Sequence, residues 1–273
     1  MRLLVSGLRK LRRRLATWVT FGLLAGLLVL ILVATGATYD QAANAPGAAG
    51  RRALLTFPAA YDSVVAFIIG LGGLLAVVYG AAVAGSEWTW GTLKNAVARG
   101  ESRSRYVVAT FAAIAIVVVV GLLFAFVLGV GAAAVGANLA GIPTDGIRDA
   151  DTLAGLPERL ARTAFAVIEE ASLGFTIATL FRSQLAGIGV GIATYFGEQF
   201  AGIFLPDVMK WLPFDAATAV LGNPGQIGGG GGNGGGIEVT ALEPNVALVV
   251  VGAWLIGSIV VSALFTERAE ITG

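Results

Sequence analysis

Long apolar runs dominate this chain, and the polar residues that interrupt them fall at bilayer spacing. A helix needs about 20 mostly apolar residues to cross the hydrocarbon core of a membrane. Six segments meet that length: residues 17–37, 64–84, 106–136, 163–181, 184–205 and 245–265. All six are predicted to be helices, because lipid offers backbone N–H and C=O groups no partner outside their own segment. The apolar residues are continuous rather than alternating, which argues against a membrane barrel. The third segment is over-long and predicts a tilted or projecting span.

Composition agrees with the pattern. Hydrophobic residues make up 56% of the 273 residues and charged residues 13%, with a mean hydropathy of +0.83. Soluble domains carry about 25% charged residues. The chain contains no Cys and no His, which excludes thiolate nucleophiles, disulfides, His-based haem or zinc ligation and the His-containing catalytic triad. The first apolar run exceeds the roughly 7–15 residues of a signal-peptide core, so it is expected to be an uncleaved first span.

The net charge of +1 matters less than its distribution. With the N-terminus inside, the inner segments hold Arg2, Arg9, Lys10, Arg12, Arg13, Arg14, Lys94, Arg99, Arg103, Arg105, Arg182 and Arg268. The outer segments hold Arg51, Arg52, Arg148, Arg159, Arg162 and Lys210. That excess places both termini in the cytoplasm, at the plasma or inner membrane. Residues 1–16 read as an interfacial helix: Leu3, Leu4, Leu8, Leu11 and Leu15 recur at helical spacing among basic residues suited to anionic headgroups. The expected fold class is thus an all-α integral membrane protein with six transmembrane helices and an N-terminal amphipathic helix. No nucleic-acid partner is expected.

The outer loop, residues 206–244, opens with an amphipathic stretch in which Val208, Trp211, Leu212 and Phe214 are available to the membrane interface. It continues into a Gly-rich linker at residues 225–237, which lacks the Gly-Lys-Ser/Thr of a phosphate-binding loop.

Three acids fall inside the runs: Glu169, Glu170 and Glu198. A charge at the bilayer centre costs about 2.5–3.5 kcal/mol on insertion scales, so each is a candidate for a translocation path. The alternative is internal hydrogen bonding to Ser172, Thr176, Thr194 or Gln199. The Glu169–Glu170 pair is similar to the Glu-Glu-x-x-x-Arg motif of intramembrane proteases. Gly174 stands at the arginine position and no His is present, so that reading fails. Small residues at four-residue spacing, Gly72, Ala76 and Gly80 in the second run and Gly187 and Gly191 in the fifth, let helices approach closely. They suit packing within one bundle or an interface between subunits.

The most elaborate polar segment lies between the second and third runs, at residues 85–105. Trp90, Leu93 and Val97 fall on one face of a short helix. Lys94 and Arg99 lie toward its C-terminal end, Gly100 follows as a stop, and Ser102 is placed to cap the next helix. Glu87, Gly91, Thr92, Leu93 and Lys94, followed by Ser102, Arg103, Ser104 and Arg105, resemble the first cytoplasmic loop of ABC-2 type transporter permeases. The basic tail, six spans and long final outer loop are similar to that family's layout. The resemblance implies a single ABC-2 type transmembrane domain over residues 1–273 that forms half of an export pathway. It implies an identical or paralogous permease partner and a separate ATP-binding subunit that carries ATP and Mg, so that this chain binds no cofactor and is not itself an enzyme. The loop would be the coupling helix that docks on the ATPase. The glycine run and the Glu169–Glu170 pair depart from the family pattern. A channel or ion- or proton-coupled secondary transporter, or a structural subunit of a larger membrane complex, are the alternatives.

Overall fold

The computed structural model describes residues 2–40, 47–222 and 241–269. The expected Gly-rich linker at 225–237 lies outside them. Among the described residues every regular element is helical. The chain opens with α1 (Arg2–Arg12) and α2 (Leu15–Ala37), followed by the short α3 (Ala48–Leu55). Then α4 (Ala59–Phe67), a π-helical segment (Ile68–Gly72) and α5 (Gly73–Thr89) form one continuous rod. The short α6 (Thr92–Ala98) leads to α7 (Arg103–Leu139), α8 (Ala150–Phe181) and α9 (Gln184–Gly202). Two short helices, α10 (Pro206–Met209) and α11 (Pro213–Ala219), precede α12 (Pro244–Arg268).

Five helices are long and apolar enough to cross a membrane: Leu15–Ala37, Ala59–Thr89, Arg103–Leu139, Ala150–Phe181 and Pro244–Arg268. The chain therefore has the helices of a multi-pass membrane protein. The fifth expected span is a helix, but it falls outside this set because Gln184, Glu198 and Gln199 dilute its 19 residues. At about 1.5 Å per residue its length still approaches the roughly 30 Å of the hydrocarbon core.

The fourth helix starts well before the expected boundary at residue 163. Its polar first turns, expected as loop, are helical because Asp149 caps them, accepting from Thr152 N at 2.9 Å. Glu158 and Arg162 then pair at 2.8 Å one turn apart, and Leu156 is buried in the main core. The second helix likewise begins at Ala59, with Tyr61, Val64 and Val65 buried.

Helices α5 and α8 form the central pair, with α9 against both, α12 against α8, and α2 packed on α7. Backbone contact sets these crossings. A Cβ on Gly174 would overlap the Val77 carbonyl, and one on Gly80 would overlap that of Ala171. Gly187 lies close against Ala178 and Gly191 against Val77, Ala76 is buried, and a Cβ on Gly72 would meet Leu24 only at ordinary contact distance. Phe214 does not face the membrane interface; it is buried and meets the Tyr195 ring edge-on at 5.0 Å.

Candidate functional site

The ends of several helices converge around one carboxylate. Glu87 lies in the last turn of α5 and is 5% exposed. Lys10 Nζ of α1 donates to its Oε2 at 2.6 Å, and Arg14 Nη2, from the N-cap of α2, donates to Oε1 at 2.8 Å. Tyr106 Oη of α7 donates to Oε2 at 2.6 Å, and Thr92 Oγ1 of α6 donates to the same oxygen. Arg14 also donates to Ser86 Oγ at 2.6 Å. A carboxylate accepts about four hydrogen bonds, so this buried charge is fully satisfied. Burial pushes the Lys10 ammonium below the usual lysine range, against the opposing pull of Glu87. The hub ties the basic tail, both neighbouring long helices and the loop helix together.

The loop follows the geometry its residues predict. Gly91 adopts φ +64° between α5 and α6, and Gly100 adopts φ +88° after Arg99. Gly100 N bonds to Val97 O at 2.9 Å and Glu101 N to Ala96 O at 3.3 Å, closing α6 as a Schellman motif. Ser102 occupies the N-cap of α7, without a side-chain cap bond.

The expected common face of Trp90, Leu93 and Val97 is divided. Leu93 is buried, facing a small cavity lined also by Glu87, Trp88, Tyr106 and Phe175. Val97 is half-buried, whereas Trp90 is 63% exposed and has the Arg14 guanidinium 5.0 Å above its ring. The outward surface of α6 carries Lys94, Asn95, Ala98 and Arg99. The same end of the bundle collects Arg182, above the rings of Trp88 and Phe265 at 5.2 and 5.4 Å, and Arg103, bonded to the Glu267 and Ala269 carbonyls.

The three acids of the apolar runs lie away from this end. Glu169 and Glu170 of α8 and Glu198 of α9 are all buried. Tyr195, three residues before Glu198 on α9, donates to the Gly70 carbonyl, three residues from the Gly73 against which Glu170 packs. Glu198 Oε1 accepts from Asp215 N at 2.9 Å. The hydroxyls that sequence offered as partners bond elsewhere: Ser172 to Glu169 O, Thr176 to Ser172 O and Ser258 O, and Thr194 to Val190 O. No cluster of three or more metal-ligating side chains suits a metal ion among the described residues.

Sequence reasoning did not find Lys10 and Arg14 as partners of Glu87. Their signal was present: two cations four residues apart in the basic tail and a lone acid at the end of the second run. It also did not find the π segment, whose signal is the crowded glycines of IIGLGG, or Tyr195 and Asp215.

No protein-family model matches the chain, and no curated protein matches it.

Proposed function

We propose that this chain is the membrane-spanning permease subunit of an ATP-binding-cassette transporter of the ABC-2 type, acting in export. The observation that carries this reading is the Glu87 hub. It fixes a short helix, with an outward face bearing Lys94 and Arg99, between two long apolar helices and ties it to the basic tail. A coupling element must be rigid and must occupy two positions that an external binding event selects between. Helix α6 has seven residues and is too short to persist alone in water. Its attachment to α1, α5 and α7 transmits any displacement to the spans. In this reading α9 is the fifth of six spans and α12 the sixth, both termini are cytoplasmic, and a second permease subunit completes the pathway. ATP and Mg belong to the partner ATPase.

The test is co-purification in mild detergent, followed by ATPase measurement in proteoliposomes. An ATP-binding subunit retained by the wild type and released by Lys94→Glu with Arg99→Glu supports the reading. ATP-independent flux with no such subunit retained supports secondary transport, the reading that the buried carboxyls favour.

A further inference from the structure

The sites around Glu87 leave the buried acids of α8 and α9 without a role. Glu169 is 0% exposed, Glu170 1% and Glu198 4%. Both carboxyl oxygens of Glu169, Oε2 of Glu170 and Oε2 of Glu198 are buried with no hydrogen-bond partner. Among the described residues none of the three forms a salt bridge. The Glu170 carboxyl is pressed against Gly73, where a Cβ would overlap it. Gly73 immediately follows the π segment, a distortion found often at functional sites. Tyr195 closes this region from α9, its hydroxyl donating to the Gly70 carbonyl at 2.9 Å.

The surroundings offer no unengaged countercharge among the described residues: Lys210, beside α10, which packs on α9, is paired with Asp207 at 2.9 Å. On α8 the nearest cation, Arg162, is bonded to Glu158, Val220 O and Asn245, and Arg159 is bonded to Asp62 of α4. From α9 the facing titratable group is Tyr195, and from α11 it is Asp215. The apolar stretch of α7 has no charged residue between Tyr106 and Leu139, and α12 has none from Asn245 to Thr266. On the π segment and α5, the titratable Tyr79 is bonded to Thr17 at 2.9 Å, and Glu87 belongs to the opposite end. An unpaired carboxylate in such a medium costs several kcal/mol, and the group takes up a proton instead.

We propose that Glu169, Glu170 and Glu198 form a proton-binding site in the membrane interior, with Glu198 as the member that exchanges its proton with water. Glu198 is the most exposed of the three, and it alone has a backbone donor, Asp215 N, that stabilises its ionised form. Gly85 packs against Gln184, so the N-terminus of α9 lies at the Glu87 end and Glu198 lies toward the far end. The proton therefore enters from water on the side of the α10–α11 segment, binds a Glu198 oxygen and returns by the same route. Glu169 and Glu170, sealed behind it, stay protonated. This inference does not rest on ATPase coupling and can hold whichever transport class is correct.

The experiment is infrared difference spectroscopy of the full-length protein in lipid nanodiscs, titrated from mildly acidic to mildly alkaline pH. The wild type is expected to show carbonyl-stretch bands of buried protonated carboxyls at neutral pH. Glu169→Gln and Glu170→Gln should each remove one band, and Glu198→Gln should remove the band that titrates. A wild-type spectrum with no protonated-carboxyl band at neutral pH would overturn the proposal. So would bands that sodium abolishes at constant pH, since the site would then hold a cation. Both decisive readings use the wild type and do not depend on the folding of a variant.

Discussion

Lys10 Nζ and Glu87 Oε2 lie 2.6 Å apart although 77 residues separate them in sequence. The contact crosses from the basic tail to the end of α5. It joins a segment that hydropathy reads as a surface element to the buried acid at the end of α5.

Glu87→Gln should destabilise the protein by about 3–5 kcal/mol, the usual effect of removing one partner from a buried ionic cluster. Lys10 and Arg14 would be left facing an amide. The measurement is thermal unfolding in detergent, with limited proteolysis of the first 16 residues as a local readout. In a double-mutant cycle with Lys10→Met, the two losses should be less than additive. Additive losses would mean that the contact contributes nothing of its own.

Gly174→Ala and Gly80→Ala should each cost about 1–3 kcal/mol through overpacking, because both new methyl groups would meet backbone rather than a yielding side chain. Gly197→Ala is the control, since nothing lies within 4 Å of its new Cβ. Unfolding midpoints of the three variants check this. Equal midpoints would contradict the α5–α8 crossing described here.

Asp149 sits below the ordinary aspartate range because Thr152 donates to it through both its hydroxyl and its backbone N–H. A depressed value means that the cap contributes fully at neutral pH and is lost as pH falls through the folded-state value. Protection factors at residues 150–153, observed exchange relative to the intrinsic rate at each pH, should therefore fall in acid. Asp149→Ala should show that lowered protection already at neutral pH, and Asp149→Asn should retain protection better than Ala.

The apolar runs made five of the six expected spans legible, since continuous hydropathy dictates helix in lipid whatever the tertiary packing. The boundaries were less legible. Residues 150–162 look like loop because Asp151, Glu158, Arg159 and Arg162 interrupt the apolar pattern, yet a cap and a one-turn ion pair suffice to extend the helix. In the loop, spacing correctly set Leu93 on a helix but could not say which side the bundle covers, because burial depends on how α6 leans on α7. Glu87 was legible as a candidate, but its partners were not. Lys10 and Arg14, Thr92, and Tyr106 come from three separate stretches of the chain, and only the fold brings them together on Glu87. The acids of the apolar runs were visible at once; that four of their oxygens are buried without partners required the positions of Ser172, Thr176 and Thr194.

Trp90 is exposed and carries the Arg14 guanidinium above its ring, a contact worth about 0.5–1 kcal/mol at an exposed site. Trp90→Ser should leave the unfolding midpoint within about 1 kcal/mol of wild type while lowering transport per ATP hydrolysed. Leu93→Asp should instead unfold the loop, because Leu93 is buried. Parallel stability and transport measurements separate the two effects.

Site-specific photocrosslinking from position 95, on the outward surface of α6, tests the coupling role most directly. A cross-linker at Asn95, activated in intact membranes, should trap an ATP-binding subunit, and the yield should change when ATP is added. If the correctly inserted protein captures no ATP-binding subunit, with or without ATP, the coupling role of this loop is contradicted.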